Sequence, residues 1–177
     1  MKEHPSLVTK AERERRREDG RQGAYVEMTD LLRIFGEQPV QLRAIPKEAL
    51  SPSSELFFGL DGDNTGIVLE NLFLGAREES SLTGLSRAVT AAIKHLENRI
   101  ALRCGPESIV FAAGDDILFK GRCDTQFLVE LQQAYRAATG GLTCSVGFGG
   151  SLREVYLALK LAKSSPGKNA IQGVELF

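Results

Sequence analysis

Histidine is nearly absent from this chain, which has only His4 and His95. No Ser-His-Asp or Cys-His set is visible in it, so the sequence gives no sign of nucleophilic catalysis of the protease or esterase kind. Cysteine is scarce too: Cys104, Cys123 and Cys144 follow no metal-ligand spacing. The odd number, with no apolar leader in the first residues, sets the expectation of reduced thiols and a cytoplasmic protein. Excess charge of either sign is missing, because 22 Lys and Arg face 23 Asp and Glu. Without a global basic field, no direct DNA binding is expected. No apolar run approaches the roughly 18 residues of a membrane span, so no membrane partner is expected either. Internal repeats are also lacking.

What is present is ordinary globular composition, 42% apolar over 177 residues, enough for one domain with an appendage. The appendage comes first. "KAERERRREDGRQG", 10–23, is almost all charge and reads as solvated helix or disorder. "MTDLLRIFGEQPVQL", 28–42, is a short amphipathic piece, and "IPKEALSPSS", 45–54, reads as a linker. Residues 1–54 are therefore expected to be a charged extension and linker, partly disordered, and residues 55–177 the working domain.

From Glu55 the pattern is regular. "ELFFGLD", 55–61, is an apolar strand ending in an acid, and "GDNTG" is turn chemistry. Leu82, Leu85, Val89, Ile93, Leu96 and Ile100 recur at three- and four-residue intervals, which predicts a helix over 81–102. "SIVFAAGDDILFKG" reads as a hairpin, 124–140 as a helix capped by Asp124 or Thr125, and 142–150 as a strand running into glycines. A last helix ends at a Pro-Gly break, and "GVELF" reads as a final edge strand. The fold expected is α+β, a mainly antiparallel sheet with helices on one face, close to the ferredoxin-like arrangement.

In such a sheet the end of the first strand meets the tip of the hairpin. Asp61 then converges with Asp115 and Asp116. Unpaired, these like charges repel and one acid should hold its proton. A hard divalent cation removes the conflict, and all-carboxylate ligation suits Mg²⁺ or Mn²⁺ bound together with phosphates. A bare Asp-Asp pair is far more often a solvated turn. It is the Gly114-Asp115-Asp116 tip between apolar strands, with an acid closing an upstream strand, that favours a metal site.

These residues resemble a family. Gly114-Asp115-Asp116 on a hairpin, preceded by a strand ending "LDGDNTG", is similar to the palm-type nucleotidyl cyclases. These include GGDEF diguanylate cyclases, the palm of the large subunit of type III CRISPR complexes and, nearest, the minimal CRISPR polymerases (mCpol). "SVGFG", 145–149, looks like the strand after the second helix of that palm. "LAKSSPGKN", 161–169, is similar to the triphosphate-holding Ala-Lys…Gly-Arg-Asn stretch of GGDEF enzymes. The resemblance covers about residues 55–177 and implies a ferredoxin-like palm. It also implies ATP rather than GTP as substrate, since the guanine-reading positions have no match. The implied product is a cyclic adenine di- or oligonucleotide, used in antiviral signalling to a separate effector. Lys163 and Lys168 would by the same likeness contact the β- and γ-phosphates. Two departures stand out: Ala113 replaces the first hairpin Gly, and the stretch from Lys163 to Lys168 is one residue longer.

Within that frame two ions per site would be bridged by Asp61 and Asp115, with Asp116 on one of them and the Gly62 carbonyl as a further ligand. Asp63 is either a ligand or a cap for the turn. Asn64, Thr65 and Gly66 either cradle phosphates through their N–H groups or form a plain turn. One palm holds one triphosphate, so a homodimer is expected to bring two nucleotides together. Two rivals remain. "LFFGLDGDNTG" also fits the first motif of haloacid dehalogenase-type phosphatases, with Asp61 as nucleophile and Asp63 as acid. There, however, the acidic motif should follow the lysine rather than precede it, and only 116 residues follow Asp61. The other rival is a palm that binds nucleotide without turnover.

Overall fold

Residues 41–75 and 79–177 are described by the computed structural model. The charged stretch 10–23 and residues 28–40 of the amphipathic piece lie outside them. Among the described residues six strands form one sheet: β1 (Leu42–Pro46), β2 (Leu56–Gly62), β3 (Ile109–Ala113), β4 (Asp116–Gly121), β5 (Cys144–Gly149) and β6 (Ile171–Leu176). Their order across the sheet is β1-β6-β5-β2-β4-β3. Only β5 and β6 pair in parallel; every other neighbouring pair is antiparallel. The helices among the described residues are α1 (Thr65–Gly75), α2 (Glu79–Cys104), α3 (Thr125–Ala138) and α4 (Leu152–Ser164). The strands β5-β2-β4-β3 with α2 and α3 reproduce the ferredoxin-like order, and the chain is α+β with a mostly antiparallel sheet, as expected. Both neighbours of β2 run antiparallel to it, which removes the parallel core that the phosphatase reading needs.

Alternation along the strands builds two different faces. Phe58 and Leu60 of β2, and Cys144, Val146 and Phe148 of β5, point to the cluster that holds Leu96 and Ile100 of α2 and Leu128, Leu131 and Tyr135 of α3. Phe58 is central: it stacks on Phe119 at 5.0 Å and lies 6.3 Å from Phe148, its register partners on the two flanking strands. The intervening residues face the other way and are small. A Cβ on Gly59 would lie 3.0 Å from Val155, and one on Gly147 would lie 2.4 Å from the Leu159 backbone nitrogen. The helix over this face is α4. The expectation of helices on one face is thus corrected: α2 and α3 cover one side, and α4 is seated against glycines on the other.

Two further expectations change. The strand at 171–176 is interior rather than an edge, because β1 pairs with it from Leu42↔Leu176 to Pro46↔Gln172. Residues 42–49, placed by the sequence in the extension and linker, form that edge strand and a short 3-10 turn, and Ile45 packs against the core. The prolines of "IPKEALSP" disguise it, although Pro is tolerated on an edge strand. Helix α1, "TGIVLENLFLG", was not expected at all, because its apolar residues show no helical period. No helix among the described residues is long and apolar enough to cross a membrane.

Two outcomes follow from this packing. A chain beginning at Ser51 should melt several degrees below the full chain and tend to associate, because it bares the β6 edge and uncovers the Ile45 contact. Equal melting curves would show that β1 adds nothing. Gly147→Ala places a methyl against α4 backbone and should cost roughly 1–3 kcal/mol in denaturant unfolding. An unchanged midpoint would contradict the close seating of α4.

Candidate active site

The hairpin tip is set by one glycine. Gly114 and Asp115 are the two residues between β3 and β4, and Gly114 has φ +64° while Asp115 does not enter the left-handed region. That is the pattern of a type II′ turn, whose first central position favours glycine. A Cβ there would meet nothing within 4 Å, so the demand is conformational rather than spatial. The tip is tied to β2, since the Gly62 N–H donates to the Asp115 carbonyl at 3.2 Å.

The β2–β4 register places Asp61 opposite Asp116. Asp61, Asp115 and Asp116 each offer a carboxylate oxygen within 4.8 Å of the others, and all three residues are half-buried. One Asp116 oxygen is buried without a hydrogen-bond partner. Burial, and then the charges of Asp61 and Asp115, push the Asp116 carboxyl up to about 7. An all-oxygen acidic cluster with an orphaned buried oxygen fits a hard divalent cation. Lys163 is the counter-charge the chain itself supplies. From the last turn of α4 it pairs with Asp61, and its Nζ donates to the Gly62 carbonyl at 3.0 Å. That carbonyl, expected as a metal ligand, is here the lysine's acceptor.

Gly62 is a close-approach position. A Cβ would lie 2.6 Å from Asp115 Oδ2 and from Tyr135 Oη, and 2.7 Å from Thr65 Oγ1. The Tyr135 and Thr65 hydroxyls are both buried at this point, with no well-directed hydrogen bond made by either. Burial pushes the Tyr135 phenol up to about 12, and the neighbouring Thr65 hydroxyl only partly offsets that.

Asp63 has a different employment from its neighbours. It is 1% exposed. Its carboxylate accepts from Thr143 Oγ1 at 2.9 Å, Ser145 Oγ at 2.8 Å and the Asn169 N–H at 2.9 Å. Those three donors fasten the end of β2 to the start of β5 and to the loop after α4, and Asp63 stands outside the acidic cluster. In that loop Gly167, Lys168 and Asn169 are all left-handed, at φ 78°, 54° and 52°. The bend brings Lys168 Nζ to Asn64 Oδ1 at 2.7 Å. Helix α1 begins at Thr65. The N–H groups of its first residues, Thr65 and Gly66, have no partner within the helix, and a helix N-terminus favours an anion. The expected residues therefore fall into two adjoining groups: Asp61, Gly62, Asp115, Asp116 and Lys163 in one, Asn64, Thr65, Gly66 and Lys168 in the other.

Tyr135, Thr143 and Ser145 were not foreseen, and Asn169 entered only as the end of the stretch 161–169, not as a partner of Asp63. Tyr135 reads as one more apolar position of an amphipathic helix. Thr143 and Ser145 did leave a signal, since they alternate with Cys144 and Val146 and so share the face that looks away from the large core.

Comparison with known proteins identifies a family. The family described as the minimal CRISPR polymerase domain matches residues 57–174, about two thirds of the chain. No curated protein and no solved structure matches.

The pH dependence of stability follows from Asp116. Unfolded, its carboxyl ionises near 4; folded, near 7. Between those values the native state holds the extra proton, so metal-free stability falls as pH rises from about 4 to about 7. Asp116→Asn should melt higher than the parent in chelator at pH 8, by about 2–4 °C per kcal/mol relieved, and the gain should shrink toward pH 4. Because the carboxyl is only half-buried, solvent screening reduces the size of the gain but not its sign. A variant that melts lower at pH 8 would show that the acids do not repel as placed.

Proposed function

Because the chain belongs to the minimal CRISPR polymerase family, we propose that it is a metal-dependent nucleotidyltransferase condensing ATP into a cyclic di- or oligo-adenylate, a second messenger for a separate effector in antiphage defence. The observation that carries this reading is the convergence of Asp61, Asp115 and Asp116 within 4.8 Å, beside the start of a helix and two lysines. Two Mg²⁺ or Mn²⁺ ions held by these carboxylates would neutralise phosphate charge and activate a ribose hydroxyl.

The rest is positioning. A hydroxyl oxygen bonds to the α-phosphorus, the bond from that phosphorus to the bridging oxygen breaks, pyrophosphate leaves with the electron pair, and the hydroxyl proton passes to water. Such a transfer asks for alignment and charge rather than a covalent intermediate. Lys163 and Lys168 supply positive charge where the leaving phosphates collect, and the start of α1 supplies N–H donors. Gly62, lacking a side chain, lets the hairpin tip close on β2 so that Asp115 stays with the other two acids. Asp63, tied by three donors, holds the chain between the two groups in one conformation.

Incubation with ATP and Mn²⁺ should yield pyrophosphate and a cyclic adenylate identified by mass spectrometry. Asp115→Ala/Asp116→Ala should reduce product to background while melting no lower than the parent. Free phosphate as the product would instead indicate a phosphatase, and nucleotide binding without turnover an inactive palm. Full activity in the double variant would sink the assignment.

A further inference from the structure

Two of the three cysteines meet. Cys104 Sγ and Cys123 Sγ lie 3.5 Å apart, 19 residues from each other in the chain, and both are free thiols. They sit at the end of the sheet opposite the acids: Gly121, two residues before Cys123, pairs with Leu56, whereas Asp116 pairs with Asp61. Cys144 is at the acidic end, where it pairs with Gly62. No third His, Cys, Asp or Glu among the described residues joins the two sulfurs as a metal-holding group. The chemistry open to the pair is therefore with each other.

The surroundings make room for that chemistry. A Cβ on Gly121 would lie 2.8 Å from Cys104 Sγ and 3.9 Å from Cys123 Sγ, so a bare backbone leaves the space that both sulfurs share. A disulfide needs the sulfurs to close to about 2.05 Å. Neither residue lies inside an element that would resist this. Cys104 is the last residue of α2, followed by Gly105 at φ 95°, and Cys123 is in the short link 122–124 between β4 and α3. The two segments are already fastened together. Arg103 pairs with Asp124 at 3.3 Å, and its guanidinium lies over the Phe127 ring at 5.9 Å. A bridge would add to an existing contact rather than rearrange the fold.

We propose that Cys104 and Cys123 form a reversible dithiol site, which a hydroperoxide converts to an internal disulfide that locks the end of α2 to the start of α3. Access assigns the roles. Cys104 is half-buried, while Cys123 is fully buried, and burial, then the charge of Cys104, pushes the Cys123 thiol up. With hydrogen peroxide, the Cys104 sulfur attacks one oxygen, the O–O bond breaks, and the departing oxygen leaves as water with the Cys104 proton. Cys104 is then a sulfenic acid. The Cys123 sulfur attacks the Cys104 sulfur, the S–O bond breaks, and a second water leaves with the Cys123 proton. Two thiols are oxidised to one disulfide, and one peroxide is reduced to two waters.

Thiol counting on the full chain tests this. After a small excess of hydrogen peroxide, unfolding in acid and alkylation, the chain should carry one alkyl group in place of three, on Cys144. A digest run without reductant should contain one peptide pair joined through Cys104 and Cys123, and dithiothreitol should restore three alkylated sites. The oxidised chain should melt roughly 5–10 °C above the reduced one, because the bridge restricts the unfolded chain. Cys104→Ser, at the half-buried position, should melt like the reduced parent and show no shift with peroxide. Cys123→Ser should let Cys104 advance to the sulfinic acid, seen as a gain of two oxygens in mass. Three alkylated cysteines after peroxide, a bridge that includes Cys144 or joins two chains, or a bridged chain that melts no higher than the reduced one would each overturn the proposal. So would a peroxide-induced shift of equal size in Cys104→Ser.

Discussion

The register of β2 against β4 is the constraint on which the rest of this structure depends. It sets Asp61 opposite Asp116, Phe58 opposite Phe119 and Gly59 opposite Leu118. Side chains alternate between the faces of a strand, so a slip of one residue would send Asp61 into the large core and Phe58 to the α4 side. Two features fix the register. The buried Phe58 on Phe119 rewards one alignment, and the Gly62 N–H bond to the Asp115 carbonyl holds the hairpin tip against the end of β2. Stability and chemistry are thus set by the same pairing: the residue that anchors the core lies three positions from the acid that anchors the site.

Bringing three carboxylates together is unfavourable by itself, and the surroundings show how the fold sustains it. Lys163 pairs with Asp61, and Asp116 holds a proton up to about pH 7. Asp63, one residue beyond Gly62, is kept apart by three donors drawn from two distant segments. The buried carboxylate of Asp63 is satisfied by hydrogen bonds, whereas the cluster keeps an orphaned buried oxygen on Asp116 and has Lys163 beside Asp61. That division separates two acids the sequence presents as a matched pair, Asp61-Gly-Asp63. It also explains the left-handed run Gly167–Asn169: the bend delivers the Asn169 N–H to Asp63 and the Lys168 ammonium to Asn64 together.

Much of this was legible before any coordinates. Helix 81–102, the hairpin around Gly114, the Asp124 cap and the convergence of Asp61 with the hairpin acids all rest on local signals: apolar period, turn chemistry and strand adjacency in a common fold. The misses share a cause. Strand β1 is exposed along most of its length, so its residues carry no burial pattern to read. Helix α1 is apolar all round and has no period. The placing of α4 on the far face hangs on glycines, which show where a side chain is missing but not what takes its place.

By itself the sequence determined which acids and lysines could do chemistry and where the helices and strands with a regular apolar period lie, because spacing along the chain is enough to fix a helix face, a turn and the end of a strand. Only the tertiary structure decided how the acids divide their work, since the donors that reach Asp63 come from residues 143, 145 and 169 and no local rule connects them to it. It likewise decided that Cys104 and Cys123 meet beside Gly121. Those thiols close a helix and follow a strand, and they are brought together by the seating of α2 against the sheet, which is a property of packing rather than of spacing.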